Sequence, residues 1–260
     1  MARSRKNGSA ETEVTVEPPW WQPAKASGRR RQPLTRDAIV EAAVKVLDHE
    51  GAGALTVRRL AEELGTGSAT LYWHISGKDE LGELVYDHVM GEVDVPEPDP
   101  SRWEEQTKDL ARQCYRIMLK HNDLVRLSLG RVPVGPNMLR IMEWSIDLLR
   151  QAGIPDQAAA YFGDMLGRFL DASVLDATTA GGPPIDEVAA YFRSLPADRF
   201  PNLTELSARM FGTGRDGNDN DDRFEFGLDL LVRGLAGLKE RGRAPGAATR
   251  APRPRSARRR

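Results

Sequence analysis

The chain has 260 residues, 40% hydrophobic and 29% charged, long enough for one large or two modest domains with a sizeable core. No run approaches the roughly 18 apolar residues of a membrane span, and no apolar signal core follows the polar N-terminus, which predicts a cytoplasmic protein without membrane partners. The net charge of −1 hides a division: residues 1–33 hold seven Lys or Arg against three Glu, residues 239–260 nine against one, and residues 79–238 sixteen against twenty-eight acids, so an acidic body lies between two basic ends that polyanions attract.

Residues 1–33, rich in Ser, Glu, Pro and Arg, show no sustained periodicity and are predicted to be a disordered basic arm. Within it, the pair Trp20-Trp21 is free to dock on the folded body or to stay exposed; the sequence leaves both open. Thr35 is a helix N-cap by residue type, and Ile39, Ala42, Ala43, Val46 and Leu47 follow at helical spacing before Gly51 ends the run. A second short helix follows Thr56, with Leu60, Ala61 and Leu64 on its inner side and Gly65 stopping it. A third covers about Ser68 to His74, and a fourth opens at Ser76-Gly77-Lys78-Asp79 with Leu81, Leu84, Val85, His88 and Val89 as its apolar face.

Alternating prolines in Val95-Pro96-Glu97-Pro98-Asp99-Pro100 exclude a helix and place a domain junction there. Ser101 and Glu104 have capping-box spacing for a long helix to about His121, and further helices fit 137–151, 156–179, 185–194, 203–211 and 222–240. Nothing reads as a strand series, so the predicted class is all-α. The run from Gly212 to Asp222 is predicted as a mobile loop. Its alternating acids resemble a calcium loop, but the twelfth place from Asp216 carries no glutamate and Gly217 disturbs the ligand spacing.

Catalysis finds no support in the motifs. His49, His74, His88 and His121 are scattered singly, without HExxH, GxSxG or a phosphate loop, so neither an enzyme nor a cofactor or metal is expected. The lone Cys114 excludes an intrachain disulfide, a CxxC pair and a zinc site of several thiolates, and is expected to be a small buried hydrophobe.

Two short helices joined by Gly65-Thr66-Gly67 have the layout of a helix-turn-helix, in which the second helix enters the major groove of DNA. In Ser68-Ala69-Thr70-Leu71-Tyr72-Trp73-His74 only Leu71, with Ile75 after it, reads as core. Ser68, Thr70, Tyr72 and His74 offer hydroxyls or ring nitrogens to phosphates and base edges. The competing reading makes Tyr72 and Trp73 core aromatics and His74 a cap.

The stretch from Leu34 to about Val93, above all the segments 54–65 and 70–78, closely resembles the N-terminal domain of tetracycline-repressor-type regulators. Leu129-Gly130, the run 148–153 and the run 223–228 resemble the C-terminal domain of the subgroup nearest tetracycline repressor. The resemblance implies a three-helix helix-turn-helix domain over 34–94 and a helical effector-binding and dimerisation domain over 95–240, with 241–260 left as a second disordered basic tail. By position, it places Arg58 on a base or phosphate, Ser68, Ala69 and Thr70 near base edges, and Tyr72, Trp73, His74 and Lys78 on the DNA backbone. The types suit those roles, since a guanidinium forks onto guanine and a lysine at a helix start adds charge beside free amides. Ser68 and Ala69 replace the longer amide and the proline of tetracycline repressor, so its operator does not carry over.

The same resemblance implies a homodimer on a palindromic double-stranded operator, a repressor released by a small-molecule effector. It assigns the dimer interface to Phe162, Leu166, Phe169, Leu170, Ser173 and Val174 in one helix and Phe224, Leu228, Leu231, Leu235 and Leu238 in another, stripes that equally suit ordinary core. It assigns the effector pocket to Cys114, Ser128, Pro133, Met142, Ser145 and Asp176, a lining suited to a largely apolar ligand with one or two polar groups. Ser128 and Asp94 stand where a tetracycline sensor carries histidines, which argues against a metal-tetracycline chelate. Arg29-Arg30-Arg31, just before the first helix, is expected to reach into an adjacent minor groove.

Overall fold

The computed structural model describes residues 34–121, 123–179, 185–210 and 219–243. The arm with Trp20, Trp21 and Arg29-Arg30-Arg31, the stretch 211–218 and the tail from 244 onward lie outside the described residues. Among the described residues there are eleven helices and no strand.

The first four follow the predicted order. α1 (Arg36–Glu50) starts where the Thr35 hydroxyl accepts the Ala38 amide at 3.1 Å and stops at Gly51, whose φ of 79° lies in the left-handed region that glycine enters without strain. α2 (Val57–Glu63) is capped in the same way, Thr56 accepting from the Arg59 amide at 3.1 Å. α3 (Ser68–Leu71) is shorter than expected, because Tyr72 to His74 continue as a turn. α4 (Lys78–Met90) buries Leu81, Val85 and Val89 as predicted, but His88 faces solvent, while Tyr86, Asp87 and Met90 are buried instead. The reason is that α4 is covered on two sides, by α1 and by helices from the part of the chain after residue 100, so one amphipathic stripe does not describe it.

The proline segment 95–100 is non-helical, as its composition requires, yet it is tied down: the Trp144 indole donates to the Pro96 carbonyl and the Gln106 amide donates to the Glu97 carbonyl. α5 (Trp103–Lys120) begins one residue later than the capping box implied, with Arg102 in place of Ser101 as its N-cap. Ser101 donates its hydroxyl to Asp99 at 2.6 Å, and Gln106 takes the Asp99 amide at 2.7 Å, so the turn is organised around Asp99. α6 (Val125–Ser128) is a single turn that the sequence reading passed over.

Then come α7 (Pro136–Gln151), α8 (Asp156–Thr178), α9 (Ile185–Arg193), α10 (Pro201–Met210) and α11 (Asp219–Arg243). α11 starts within the run expected to be loop. Its first turn is acidic, including Asp221 and Asp222, and carboxylates favour the positive end of a helix. It also runs three residues into the segment expected to be tail. α8 packs on α5, α6, α7 and α11, and α9 pairs with α10. α5 and α11 are joined by Lys108 to Asp229 at 2.6 Å and by Arg112 to Glu225 at 2.7 and 2.8 Å, beneath a stack of Tyr115, Phe224 and Phe169 with ring centres 4.0 and 5.5 Å apart.

His121, just past α5, is the one scattered histidine with a buried side chain and two acidic neighbours on other elements. Its Nδ1 lies 3.0 Å from Asp48 of α1 and its Nε2 3.1 Å from Glu92, just past α4. The Lys120 ammonium, 2.7 Å from Glu92, holds that carboxyl below its usual range, helped by His121.

Candidate functional site

The reader is built from its core outward. Leu60, Leu71 and Leu55 are fully buried and Ile75 nearly so, each burial contributing about 1.5–3 kcal/mol. Between α2 and α3, Gly65 turns at φ 59° while the Thr66 amide reaches the Ala61 carbonyl at 2.9 Å, closing α2 and re-aiming the chain. That leaves one face of the turn-helix unit without a protein neighbour. Ala69, Thr70, Tyr72 and Trp73 are exposed on it, Ser68 and His74 half-buried, and Lys78 exposed at the start of α4.

Two exposures decide between the readings of the aromatic pair. Tyr72 is 58% and Trp73 88% accessible, so neither is core. The adjacent arginines separate as well. Arg59 is drawn inward between Glu50 at 2.6 Å and Glu63 at 2.9 Å, holding the Glu50 carboxyl below its ordinary range, whereas Arg58 projects with only a long 3.3 Å contact to Glu62. Glu80 is engaged too: it accepts from the Ser76 amide and hydroxyl at 2.7 Å each and pairs with Arg36, fixing the junction from reader to α4. Glu50, Glu63 and Glu80 are thus neutralised by Arg59 and Arg36, while Lys78 is exposed and Arg58 is held only by its long contact to Glu62.

The residues expected to line an effector pocket differ in burial. Cys114 on α5 and Ser128 on α6 are buried, Ser145 on α7 and Pro133 half-buried, and Met142 and Asp176 exposed. Burial pushes the Cys114 thiol up to about 12. Ser128 is the centre of a polar group that sequence reasoning missed: its hydroxyl reaches the Val125 carbonyl at 2.9 Å and Asp171 at 3.1 Å, beside the buried Tyr86 of α4. Burial raises Asp171 above its ordinary range, Ser128 offsetting part of the effect, and the same burial, followed by Asp171, raises Tyr86. Asp171 was detectable in principle, as an acid directly after the buried Leu170 and three residues before the buried Val174.

Of the residues assigned to the dimer interface, Phe162, Leu170, Val174, Phe224, Leu228 and Leu235 are buried within the chain, Leu166, Phe169, Ser173 and Leu231 are half-buried and Leu238 is exposed. The large apolar side chains of these helices most open to solvent, Tyr161, Met165, Phe226 and Leu230, lie outside that set. An open groove of about 500 Å³ runs between Met165, Arg168 and Phe169 of α8 and Gly227, Leu230 and Leu231 of α11. Among the described residues there is no group of three or more potential metal ligands, and no helix is long and apolar enough to cross a membrane.

A glycine-turned helix pair with an exposed polar and aromatic end, joined through α4 to a larger helical body, defines a helix-turn-helix DNA-binding regulator. Residues 39–85 match the model of bacterial regulatory proteins of the tetR family, and residues 95–239 that of the tetracyclin repressor-like C-terminal domain. The chain belongs to the TetR family of transcriptional regulators, which bind DNA operators and small molecules and are not enzymes.

Among its relatives, an HTH-type transcriptional regulator of Saccharopolyspora erythraea is 32% identical over 84% of this chain and 90% of its own. The HTH-type transcriptional repressor DrrR1 of Streptomyces coeruleorubidus is 28% identical over 88% and 87%. Among solved structures, apo ActR of Streptomyces coelicolor is 44% identical, covering 81% of this chain and 99% of its own with a TM-score of 0.76, and ActR has also been solved with actinorhodin at 45% identity, 80% and 99% coverage and a TM-score of 0.74.

Proposed function

We propose that this chain is a homodimeric repressor that binds a palindromic operator in the cytoplasm and is released by a small, largely apolar effector. The observation that carries the DNA half is the outward-facing end of α3 and its turn, where Tyr72 and Trp73 stand exposed among Ser68, Thr70 and His74. In this reading Ser68, Ala69 and Thr70 meet base edges, Tyr72, Trp73, His74 and Lys78 hold the phosphate backbone, and Arg58 adds a guanidinium from α2. One such short helix specifies few base pairs, so two heads spaced by one helical turn, about 34–36 Å, supply the rest. The exposed apolar residues of α8 and α11 are the surface on which the second copy is proposed to pack.

The effector half draws support from ActR, whose structures contain actinorhodin or (S)-DNPA. The proposed chamber is bounded by Cys114, Ser128, Pro133, Met142, Ser145 and Asp176, with Asp171 and Tyr86 joining Ser128 as its polar end. Actinorhodin is therefore the first compound to try. Such a ligand switches the protein only if it prefers the head spacing that does not fit DNA. Repression is favoured over activation by the DrrR1 likeness and because a bound dimer blocks polymerase without an activating surface.

The test is a mobility shift on DNA from upstream of the protein's own gene, with unrelated competitor and varied salt. A discrete shift that survives competitor and is lost on adding actinorhodin is expected. A smear abolished equally by any competitor would leave only binding by the basic ends.

A further inference from the structure

Helix α7 has no cap of its own. Its N-cap is Gly135, which has no side chain to offer, and the amides of Asn137 and Met138 instead donate to Oδ1 of Asp87 on α4, both at 3.0 Å. The Asn137 side-chain amide adds to the link, donating to the Asp87 carbonyl at 3.0 Å and to its Oδ2 at 3.2 Å. Asp87 is only 8% exposed, and a carboxylate so deep persists only where N–H groups satisfy it. Gly135 has φ −69° and ψ 160°, which any residue adopts, so glycine stands there for space: a Cβ would fall 2.2 to 2.5 Å from Asp87. On the α4 side, a Cβ at Gly91 would meet Asn137 at 3.1 Å.

We infer that Asp87 is a positioning residue that joins the DNA-reading half of the chain to the effector half by capping α7 from α4. α4 begins three residues after Ile75, the last core residue of the reader, and packs along α1, so the placement of α4 sets the placement of α3. α7 carries Met142 and Ser145, and the segment before it carries Pro133, three of the residues proposed around the effector. An apolar helix contact tolerates sliding, but three directional hydrogen bonds to one buried carboxylate and a fourth to the carbonyl of the same residue do not, so displacement of the first turn of α7 pulls on α4. This rests on the DNA-regulator reading above.

The test uses the full chain with Asp87→Ala, Asp87→Asn and Asn137→Ala, on duplexes that the wild type selects from a random library and on unselected duplex. Asparagine keeps the acceptor oxygen and is itself a favoured capping side chain. Asp87→Ala is expected to lose about tenfold in affinity for the selected duplex with binding to unselected DNA unchanged, Asp87→Asn to stay within about threefold, and Asn137→Ala to fall between them. Amide exchange, read on the free protein, is expected to quicken through α4 and α1 as well as the first turn of α7. Wild-type affinity with exchange confined to the start of α7 would reduce Asp87 to a cap and overturn the inference. Should Asp87→Ala not fold, Asn137→Ala is read against the same two measurements. If the wild type selects no duplex, the DNA reading fails by itself, and the exchange pattern still decides the joint: spread into α4 and α1 upholds it, confinement overturns it.

Discussion

Two of the places where the chain shows large apolar side chains to solvent have different surroundings. At the end of α3, Tyr72 and Trp73 stand among hydroxyls, an imidazole and the cations Arg58 and Lys78, whereas α8 exposes Tyr161 and Met165 and α11 exposes Phe226 and Leu230, with Met165 and Leu230 lining one open groove. An aromatic ring carrying a polar tip suits a wet, charged partner surface. An apolar surface suits one like itself. Exposure alone therefore distinguishes nothing; the polarity of the neighbours does.

The comparison is broken most sharply at the second place. Phe226→Glu with Leu230→Glu puts charges into that surface, and a loss of roughly a hundredfold or more in self-association is expected by sedimentation, each chain remaining helical. An unchanged oligomer would move the dimer surface elsewhere. At the first place, Tyr72→Ala with Lys78→Ala is expected to weaken DNA binding about a hundredfold, near 3 kcal/mol, while the dimer and the melting temperature hold. Persistence of full affinity would remove α3 from the interface. At the second place, on α11, lies Gly227, where a Cβ would approach the Phe169 ring to 2.5 Å; Gly227→Ala should cost about 1–3 kcal/mol of stability by overpacking, measured by denaturant unfolding.

The smallest effect is a pH effect at the buried polar group. Burial raises the Asp171 carboxyl, so folding favours its protonated form, and its contribution is fully present below the unfolded carboxyl range, about pH 4, and lost as pH rises above it. Asp171→Asn removes the cost of burying the charge. The variant should melt above wild type at pH 7, with the gap closing as pH falls; a wild-type advantage at pH 7 would mean that the ionised form has a favourable role.

The reader was legible in the sequence because each signal there is local: two threonine caps, a glycine turn and a helix whose apolar residues are outnumbered by hydrogen-bonding ones. Arg58 and Arg59 illustrate the limit, since which of two adjacent arginines stays free depends on Glu50, in another helix. His88 was misplaced for a related reason, a helix covered from two sides having no single stripe. Ser101 failed as a capping box because Asp99 competes for its hydroxyl. The Asp87 joint and the Ser128, Tyr86 and Asp171 group were invisible, because their members are separated by some 40 to 50 residues and meet only through packing.

Cys114, the sole cysteine, lies inside α5 with its thiol shifted toward the neutral form. Only a thiolate attacks a maleimide or an iodoacetamide. A reporter dye or spin label can thus be introduced through a cysteine placed on an exposed position of the head away from α3, Glu41 of α1 for example, in an otherwise natural background. The distance between two heads, with DNA or with a ligand, is accessible to spectroscopy without first stripping the protein of a native thiol.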